Sequence, residues 1–248
     1  MGTVFLFQIQ DPLPPDELKR QCEVAVEILE EADQTFSLYK PESEISRIVR
    51  GELAWERASG VQRTIRDLAA NWQDSTHSFF NPRSGNEYDP SGLVKGWAAQ
   101  NSAHFLEANG IRNFTLNAGG DIYLSSGLEK SILTRVGLSN LKPIASEDAG
   151  VSIVLELANT GYQAVATSGT SERGEHVWRS GSDANFQQVT VVSKDLISAD
   201  VWATALLSGG DKAWELFLNQ DQDLIGFGVF ENGAIVSSPG FSSLLADH

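Results

Sequence analysis

Hydrophobic and polar residues alternate in segments that predict strands and helices in mixed order. Residues 3–10 alternate with the two-residue period of a strand, and residues 15–33 repeat with the period of a helix. The apolar stripe of that helix consists of Leu18, Cys22, Ala25, Leu29 and Ala32. The later segments change between the two periods without a regular strand–helix–strand repeat. This order predicts an α+β fold in which mostly antiparallel strands pack against helices.

The remaining periodic segments fill most of the chain. Further helices are predicted over 44–48, 61–72, 93–108 and 211–218, and another begins near Ser198 and ends on Gly209-Gly210. Further strands are predicted over 113–116, 132–138, 151–157, 162–166, 189–192, 224–230 and 234–237. No internal repeat or low-complexity linker divides these segments. We therefore expect a single domain over residues 1–248.

The helix that ends on Gly209-Gly210 carries the first candidate chemistry. Within it, Asp200 and Thr204 are one turn apart and share a face. A carboxylate and a hydroxyl are hard oxygen ligands of the kind that Mg²⁺ accepts together with water and phosphate. Two structural alternatives remain open at this point. Ser198 or Asp200 could cap the helix, and the Thr204 hydroxyl could bond the carbonyl of Asp200.

Three other stretches place small or polar residues where a strand ends or a helix begins. Asn117-Ala118-Gly119-Gly120-Asp121 follows a strand, and its glycines would let main-chain N–H groups approach an anion closely. Thr167-Ser168-Gly169 follows another strand, and Asp89-Pro90-Ser91-Gly92 leads into a helix with Lys95 near its start. A tight structural turn explains each stretch taken alone.

Taken together and in this order, the four stretches resemble the ApbE family, the FAD:protein FMN transferases. Met1-Gly2-Thr3 and the segment from Ser37 to Arg47 resemble the opening blocks of that family, so the resemblance covers nearly the whole chain. The family implies an α+β, T-fold-like domain of two related halves with FAD between them. Two positions depart from its pattern. Val49 stands where the family commonly has Asn, and the loop after His176 lacks the usual Asp-Pro-x-Thr-Gly turn.

The resemblance implies a set of site residues. Mg²⁺ would be bound by Asp200, Thr204 and the main-chain carbonyl of Val94. FAD would be contacted by Tyr39, Lys95, Asn117, Gly119, Gly120, Asp121, Thr167, Ser168 and Gly169. For Tyr39, the alternative is an ordinary packed tyrosine. His176 would be the general base, because its unperturbed pKa is near neutrality.

The reaction implied by the resemblance is the Mg²⁺-dependent transfer of FMN from FAD to a threonine of a target flavoprotein, with release of AMP. Two alternatives stay open. An FAD pyrophosphatase would use the same magnesium site with water as the acceptor, and a non-catalytic FAD-binding protein would keep the flavin contacts alone. The retained Asp200, Thr204 and His176 favour catalysis over simple binding.

Composition and charge limit the classes of binding partner and the cellular location that we expect. The chain of 248 residues has a formal net charge of −15, which disfavours nucleic acid and anionic membranes as partners. Its 41% hydrophobic and 21% charged residues are ordinary for a globular chain. The single Cys22 excludes an internal disulfide, and no signal peptide or membrane-spanning stretch is visible. These features lead us to expect a cytoplasmic protein without membrane insertion.

Overall fold

The computed structural model describes residues 2–84, 87–128, 130–141, 151–170, 184–220 and 223–246. The described residues form three layers. A central seven-stranded sheet has helices on one face and a two-stranded hairpin on the other. Among these residues, no helix has both the length and the apolar composition that crossing a membrane requires.

The described part of the chain has five α-helices: α1 (Pro15–Phe36), α2 (Glu44–Val49), α3 (Gly60–Ser75), α4 (Ser91–Ala108) and α5 (Leu196–Leu218). The strands of the large sheet are β1 (Phe5–Ile9), β4 (Phe114–Ala118), β5 (Asp121–Leu124), β8 (Ala164–Gly169), β9 (Phe186–Ser193), β10 (Leu224–Phe230) and β11 (Ile235–Ser237). Two small hairpins are β2 (Arg83–Ser84) with β3 (Glu87–Tyr88), and β6 (Arg135–Leu141) with β7 (Val151–Glu156). Short 3-10 turns lie at Trp55–Arg57, Ile132–Thr134 and Phe241–Leu244.

The strands of the large sheet lie in the order β1-β4-β5-β8-β9-β10-β11. Every strand pairing among the described residues is antiparallel. The predicted α+β fold with mostly antiparallel strands is therefore confirmed. The turn between β4 and β5 and the end of β8 lie at one end of the sheet, because Ile122 pairs with Val165.

Alternate side chains of each strand point to opposite faces of the sheet. Phe114, Leu116 and Tyr123 point to the side of the helices, which we call the helix face. Ile122 and Val165 point to the side of the β6–β7 hairpin, which we call the hairpin face. Each face has its own hydrophobic core, and the sheet separates the two.

Helix α5 covers both of the last predicted helices, and the predicted break lies inside it. Gly210 has a φ of 55° and a ψ of −137°, which interrupts the helical backbone at the predicted glycine pair. The helix begins earlier than expected, at Leu196. Its N-cap is Asp195, whose carboxylate accepts from the Ser198 N–H at 2.8 Å. The alternative that Ser198 or Asp200 caps this helix is therefore wrong.

Candidate functional site

The candidate site lies where α4 and α5 pack against each other in antiparallel orientation. Contacts between the two helices recur every four residues. Gly92 faces Thr204, Gly96 faces Asp200, and Gln100 faces Leu196. A β-carbon on Gly92 would be 3.3 Å from Thr204 Cγ2, and one on Gly96 would be 3.1 Å from Asp200 Cβ. Because the two glycines lack side chains, α5 approaches α4 closely, and the side chains of Asp200 and Thr204 pack directly against the α4 backbone.

Gln100 fixes the first turn of α5 on α4. Its side-chain oxygen accepts from the N–H of Leu196 at 2.7 Å and from that of Ile197 at 3.3 Å. The first N–H groups of a helix have no partner within the helix, so these bonds satisfy two of them. This contact holds the register of α5 one turn before Asp200.

The central feature of the site is a lysine between two buried carboxylates. The ammonium of Lys95 forms an ion pair with Asp121 Oδ2, and it lies 3.7 Å from Asp200 Oδ1. Both aspartate side chains are 1% exposed, and that of Lys95 is 17% exposed. Helix α4, strand β5 and helix α5 thus each contribute one charged group to a single cluster on the helix face.

Each carboxylate also accepts one main-chain hydrogen bond on its other oxygen. Asp200 Oδ2 accepts from the Gly96 N–H at 3.1 Å, and Asp121 Oδ1 accepts from the Thr167 N–H at 3.0 Å. Burial raises the pKa of the Asp121 carboxyl to about 6, while the ammonium of Lys95 acts in the opposite direction. The oxygens that face Lys95 are the ones that could face another cation.

The oxygen donors at the α4–α5 contact fit a magnesium ion that is also bound by phosphate. Asp200 and Thr204 are one turn apart on α5, as the sequence predicted, and Val94 lies in α4 between Gly92 and Gly96. A helix carbonyl has a second lone pair, so the Val94 oxygen can bond within the helix and still bind a cation. In the described part of the chain, no three acidic, histidine or cysteine residues form a metal-binding group. Such a sparse donor set suits Mg²⁺, which keeps water and phosphate ligands.

The turn between β4 and β5 requires its two glycines. Gly119 has a φ of 63° and Gly120 a φ of 102°, both in the region that favours glycine. A β-carbon on Gly119 would also collide with the hydroxyl of Thr3. The Asn117 side chain accepts from the Gly120 N–H at 2.8 Å, so it closes the turn. This turn places Asp121 on the helix face and brings the first residues of the chain beside it.

The predicted residues of β8 divide between the two faces of the sheet. Ser168 points to the helix face and is 1% exposed, and its hydroxyl has no hydrogen-bond partner among the described residues. Thr167 and Gly169 point to the hairpin face. The Thr167 hydroxyl lies 2.9 Å from that of Thr190. The structure therefore does not bring all the predicted cofactor residues to one face.

A cavity of about 450 Å³ lies on the hairpin face. Four predicted residues line it: Asn117, Gly120, Thr167 and Gly169. The other polar side chains of its lining are those of Gln8, Thr115, Arg135 and Gln188, and β6 contributes an apolar wall. A cavity of this size and of mainly neutral hydrogen-bonding character suits a heterocyclic group better than a bare phosphate.

Tyr39 and His176 are the two remaining predicted residues. Tyr39 is in the loop between α1 and α2 and is 88% exposed. The alternative that it is an ordinary packed tyrosine is therefore wrong, whereas a contact with flavin stays a prediction. His176 lies outside the described residues, and its predicted role as a base stays a prediction as well.

Sequence reasoning missed the residues that position the cluster. The sequence predicts Gly92 as part of a turn, and it assigns no role to Gly96 or Gln100. Their spacing of four residues is the signal that could have found them, since small residues at that spacing let helices pack closely. The ion pair between Lys95 and Asp121 carried no such signal.

Comparisons with known proteins agree with this architecture. The sequence model of the ApbE family matches residues 83–226, which is more than half of the chain. The FAD:protein FMN transferase of Klebsiella pneumoniae (strain 342) is 30% identical over 179 residues, which are 67% of this chain and 53% of that protein. The aligned part thus spans about half the length of this curated relative.

Solved structures extend the likeness to the whole fold. The flavin transferase ApbE from Vibrio cholerae superposes with a TM-score of 0.77 at 20% identity, over 99% of this chain and 96% of that one. The ApbE protein from Thermotoga maritima superposes with a TM-score of 0.74 at 17% identity, over 99% of this chain and 100% of that one. At these low identities the solved structures show only a shared fold. Membership of the family is shown by the match of the family model. The chain belongs to the ApbE family.

Proposed function

We propose that this protein transfers FMN from FAD to a threonine hydroxyl of a separate flavoprotein, with Mg²⁺ bound and AMP released. The observation that carries the proposal is the pairing of Asp200 and Thr204 against the start of α4, beside Lys95 and Asp121. The name FAD:protein FMN transferase of a relative that is 30% identical supports the same reaction.

The reaction exchanges one phosphorus–oxygen bond for another. The threonine oxygen attacks the phosphorus on the FMN side of the pyrophosphate and loses its proton. The bond from that phosphorus to the bridging oxygen breaks, and AMP leaves with this oxygen. Such a transfer depends mainly on positioning and on charge neutralisation, so the protein need not form a covalent intermediate.

The residues at the α4–α5 contact would hold the ion and the pyrophosphate. Asp200, Thr204 and the Val94 carbonyl would bind Mg²⁺. When bound, the ion supplies positive charge to the phosphate oxygens of the leaving group. The buried position of Asp200 supports this role, because a buried carboxylate interacts more strongly with a cation than an exposed one does.

The remaining predicted residues would orient FAD. The Gly119–Gly120 turn and the Ser168 hydroxyl lie at the sheet end that carries the charged cluster, so they would contact the dinucleotide there. The exposed Tyr39 ring would be available to stack on the flavin. Asn117, Thr167 and Gly169 would meet a heterocyclic part of FAD only where it reaches the hairpin-face cavity.

The proton of the acceptor hydroxyl would go to His176. A histidine suits this step because its ordinary pKa lies close to the working pH. The acceptor threonine would come from another polypeptide, and its hydroxyl would have to reach the phosphorus from the side opposite the leaving AMP.

A transfer assay tests the proposal directly. The protein is incubated with FAD, Mg²⁺ and a candidate flavoprotein domain, and the acceptor is then weighed by mass spectrometry. We expect the acceptor to gain one FMN, and we expect the gain to disappear with EDTA and in Asp200→Ala. His176→Ala should bind FAD but transfer FMN far more slowly.

Other outcomes would contradict the proposal in distinguishable ways. Free FMN and AMP without any labelled acceptor would indicate a pyrophosphatase. Tight FAD binding without turnover would indicate a binding protein. Unchanged transfer by folded Asp200→Ala would place the metal elsewhere in the molecule.

A further inference from the structure

Lys95 occupies the space between the two buried carboxylates of the site. Its ammonium contacts Asp121 Oδ2 and lies 3.7 Å from Asp200 Oδ1. The other oxygen of each carboxylate is taken by a main-chain N–H group. The two oxygens that could bind a cation together are therefore turned towards the same lysine.

The charges of this cluster do not balance without a further group. Asp121 and Asp200 carry two negative charges when ionised, and the Lys95 ammonium supplies one positive charge. Buried charges are costly unless they are compensated, so the lysine stabilises the two carboxylates when no other cation is present. A divalent cation beside Asp200 would leave the cluster with an excess of positive charge. The pyrophosphate of FAD would remove that excess.

We propose that Lys95 is an internal counter-ion that keeps Asp121 from acting as a second metal ligand and so makes tight metal binding depend on FAD. The ammonium lies closer to Asp121 than to Asp200, so Asp200 is the carboxylate of the pair that would bind the ion. The protein alone therefore binds the metal weakly, and bound FAD supplies the missing negative charge. The inference rests on the proposed function for the identity of the phosphate ligand.

The test measures metal binding in the absence of FAD, with Mn²⁺ as a paramagnetic substitute for Mg²⁺. Free Mn²⁺ is counted by electron paramagnetic resonance during titration of the intact protein at mildly alkaline pH. Lys95→Met removes the ammonium and keeps the length of the side chain. We expect Lys95→Met to bind Mn²⁺ about tenfold more tightly or better than the wild type, because affinity rises with the number of charged ligands.

Matched variants separate this effect from a general change at the site. Lys95→Arg keeps the positive charge and should show the weak wild-type affinity. Lys95→Gln is neutral and can still donate a hydrogen bond to Asp121, and it should gain affinity as Lys95→Met does. The double variant Lys95→Met/Asp121→Asn removes the second carboxylate and should lose the gain.

The proposal is overturned if Lys95→Met and Lys95→Gln bind Mn²⁺ no more tightly than the wild type. Unfolding of both neutral variants under conditions in which Lys95→Arg is folded would also overturn it, since the ammonium would then serve the fold. A wild type that binds Mn²⁺ tightly without FAD contradicts it as well. These measurements involve no FMN transfer, so a failure of the proposed reaction with an intact Lys95 effect would be recognised as such.

Discussion

Ser168 has a buried hydroxyl that the fold alone does not explain. Its hydroxyl is buried on the helix face of β8, and no described residue bonds it. A buried hydroxyl without a partner costs about 1–3 kcal/mol of stability. The charged cluster lies at the same end of the sheet. In the proposed complex, a phosphate or ribose oxygen of FAD could therefore accept the missing hydrogen bond from Ser168.

Ser168→Ala should therefore affect stability and ligand binding in opposite directions. Without FAD, we expect the free energy of unfolding to stay unchanged or to rise by about 1 kcal/mol, because an unsatisfied group is removed. The affinity for FAD, measured by flavin fluorescence, should fall. A lower affinity for FAD would show that Ser168 contacts the ligand, whereas an unchanged affinity would show that its unpaired hydroxyl is only a tolerated packing defect.

Ser102→Ala is the matched control for this prediction. Ser102 is also fully buried, but its hydroxyl donates to the carbonyl of Ala25 at 2.7 Å. Its removal should lower the free energy of unfolding by about 1 kcal/mol and leave the affinity for FAD unchanged. If Ser168→Ala behaved like Ser102→Ala in both measurements, Ser168 would have a structural role.

At the scale of single residues, sequence predicted neighbours along one element better than contacts between elements. Asp200 and Thr204 follow from helix periodicity, because they are close along one helix. Asp121 was predicted as an FAD contact, and its hydrogen bonds to Lys95 and to the Thr167 N–H were not predicted. Asp121 and these two partners belong to three separate elements, and no local pattern links residues that meet only in the folded structure.

At the scale of elements, the antiparallel packing of α4 on α5 depends on the absence of a side chain at Gly96. A β-carbon there would be 3.0 Å from the Leu196 carbonyl oxygen and 3.2 Å from Asp200 Oδ2. These distances are shorter than ordinary contacts, so α5 would have to shift by a few tenths of an ångström. The shift would move Asp200 directly.

We expect Gly96→Ala to weaken FAD-dependent Mn²⁺ binding and to lower the free energy of unfolding by up to about 2 kcal/mol. Overpacking of a core costs about 1–3 kcal/mol, and the gain of about 1 kcal/mol from replacing glycine in a helix offsets part of it. Urea unfolding and Mn²⁺ titration measure the two effects. Gly60→Ala at the start of α3, where an added β-carbon would have no atom within 4 Å, should leave Mn²⁺ binding unchanged and should not lower the free energy of unfolding.

Helices and strands were predicted well where one local sequence signal, such as a glycine pair or an apolar stripe, dominates. The break at Gly210 was expected from the glycine pair, and α1 was expected from its apolar stripe, although it continues to Phe36. The strand predicted over 132–138 begins only at Arg135, because Ser131 caps a 3-10 turn over Ile132–Thr134. The order of strands in the sheet had no local signal, since it is set by pairings far apart in sequence.

At the scale of the whole molecule, the sheet separates two hydrophobic cores. The helix-face core contains α5 and surrounds the charged cluster, whereas the hairpin-face core is built from β6, β7, β10 and the 3-10 turn near the C-terminus. The candidate metal ligands and Lys95 belong to the helices that cover the first core. A change in packing of the helix-face core should therefore disturb the candidate metal site more than a change in the hairpin-face core does.

Two buried leucines test this separation. Leu206 is 0% exposed in the helix-face core, two residues after Thr204, and Leu244 is 2% exposed in the hairpin-face core. Leu206→Ala and Leu244→Ala should each lower the free energy of unfolding by about 2–5 kcal/mol, because each leaves a cavity in a packed core. At a temperature at which both variants are folded, Leu206→Ala should also weaken Mn²⁺ binding with saturating FAD, since α5 carries Asp200 and Thr204. Leu244→Ala should keep the wild-type affinity. Equal losses of affinity in the two variants would show that the molecule responds as one packed unit and that the sheet does not isolate the site.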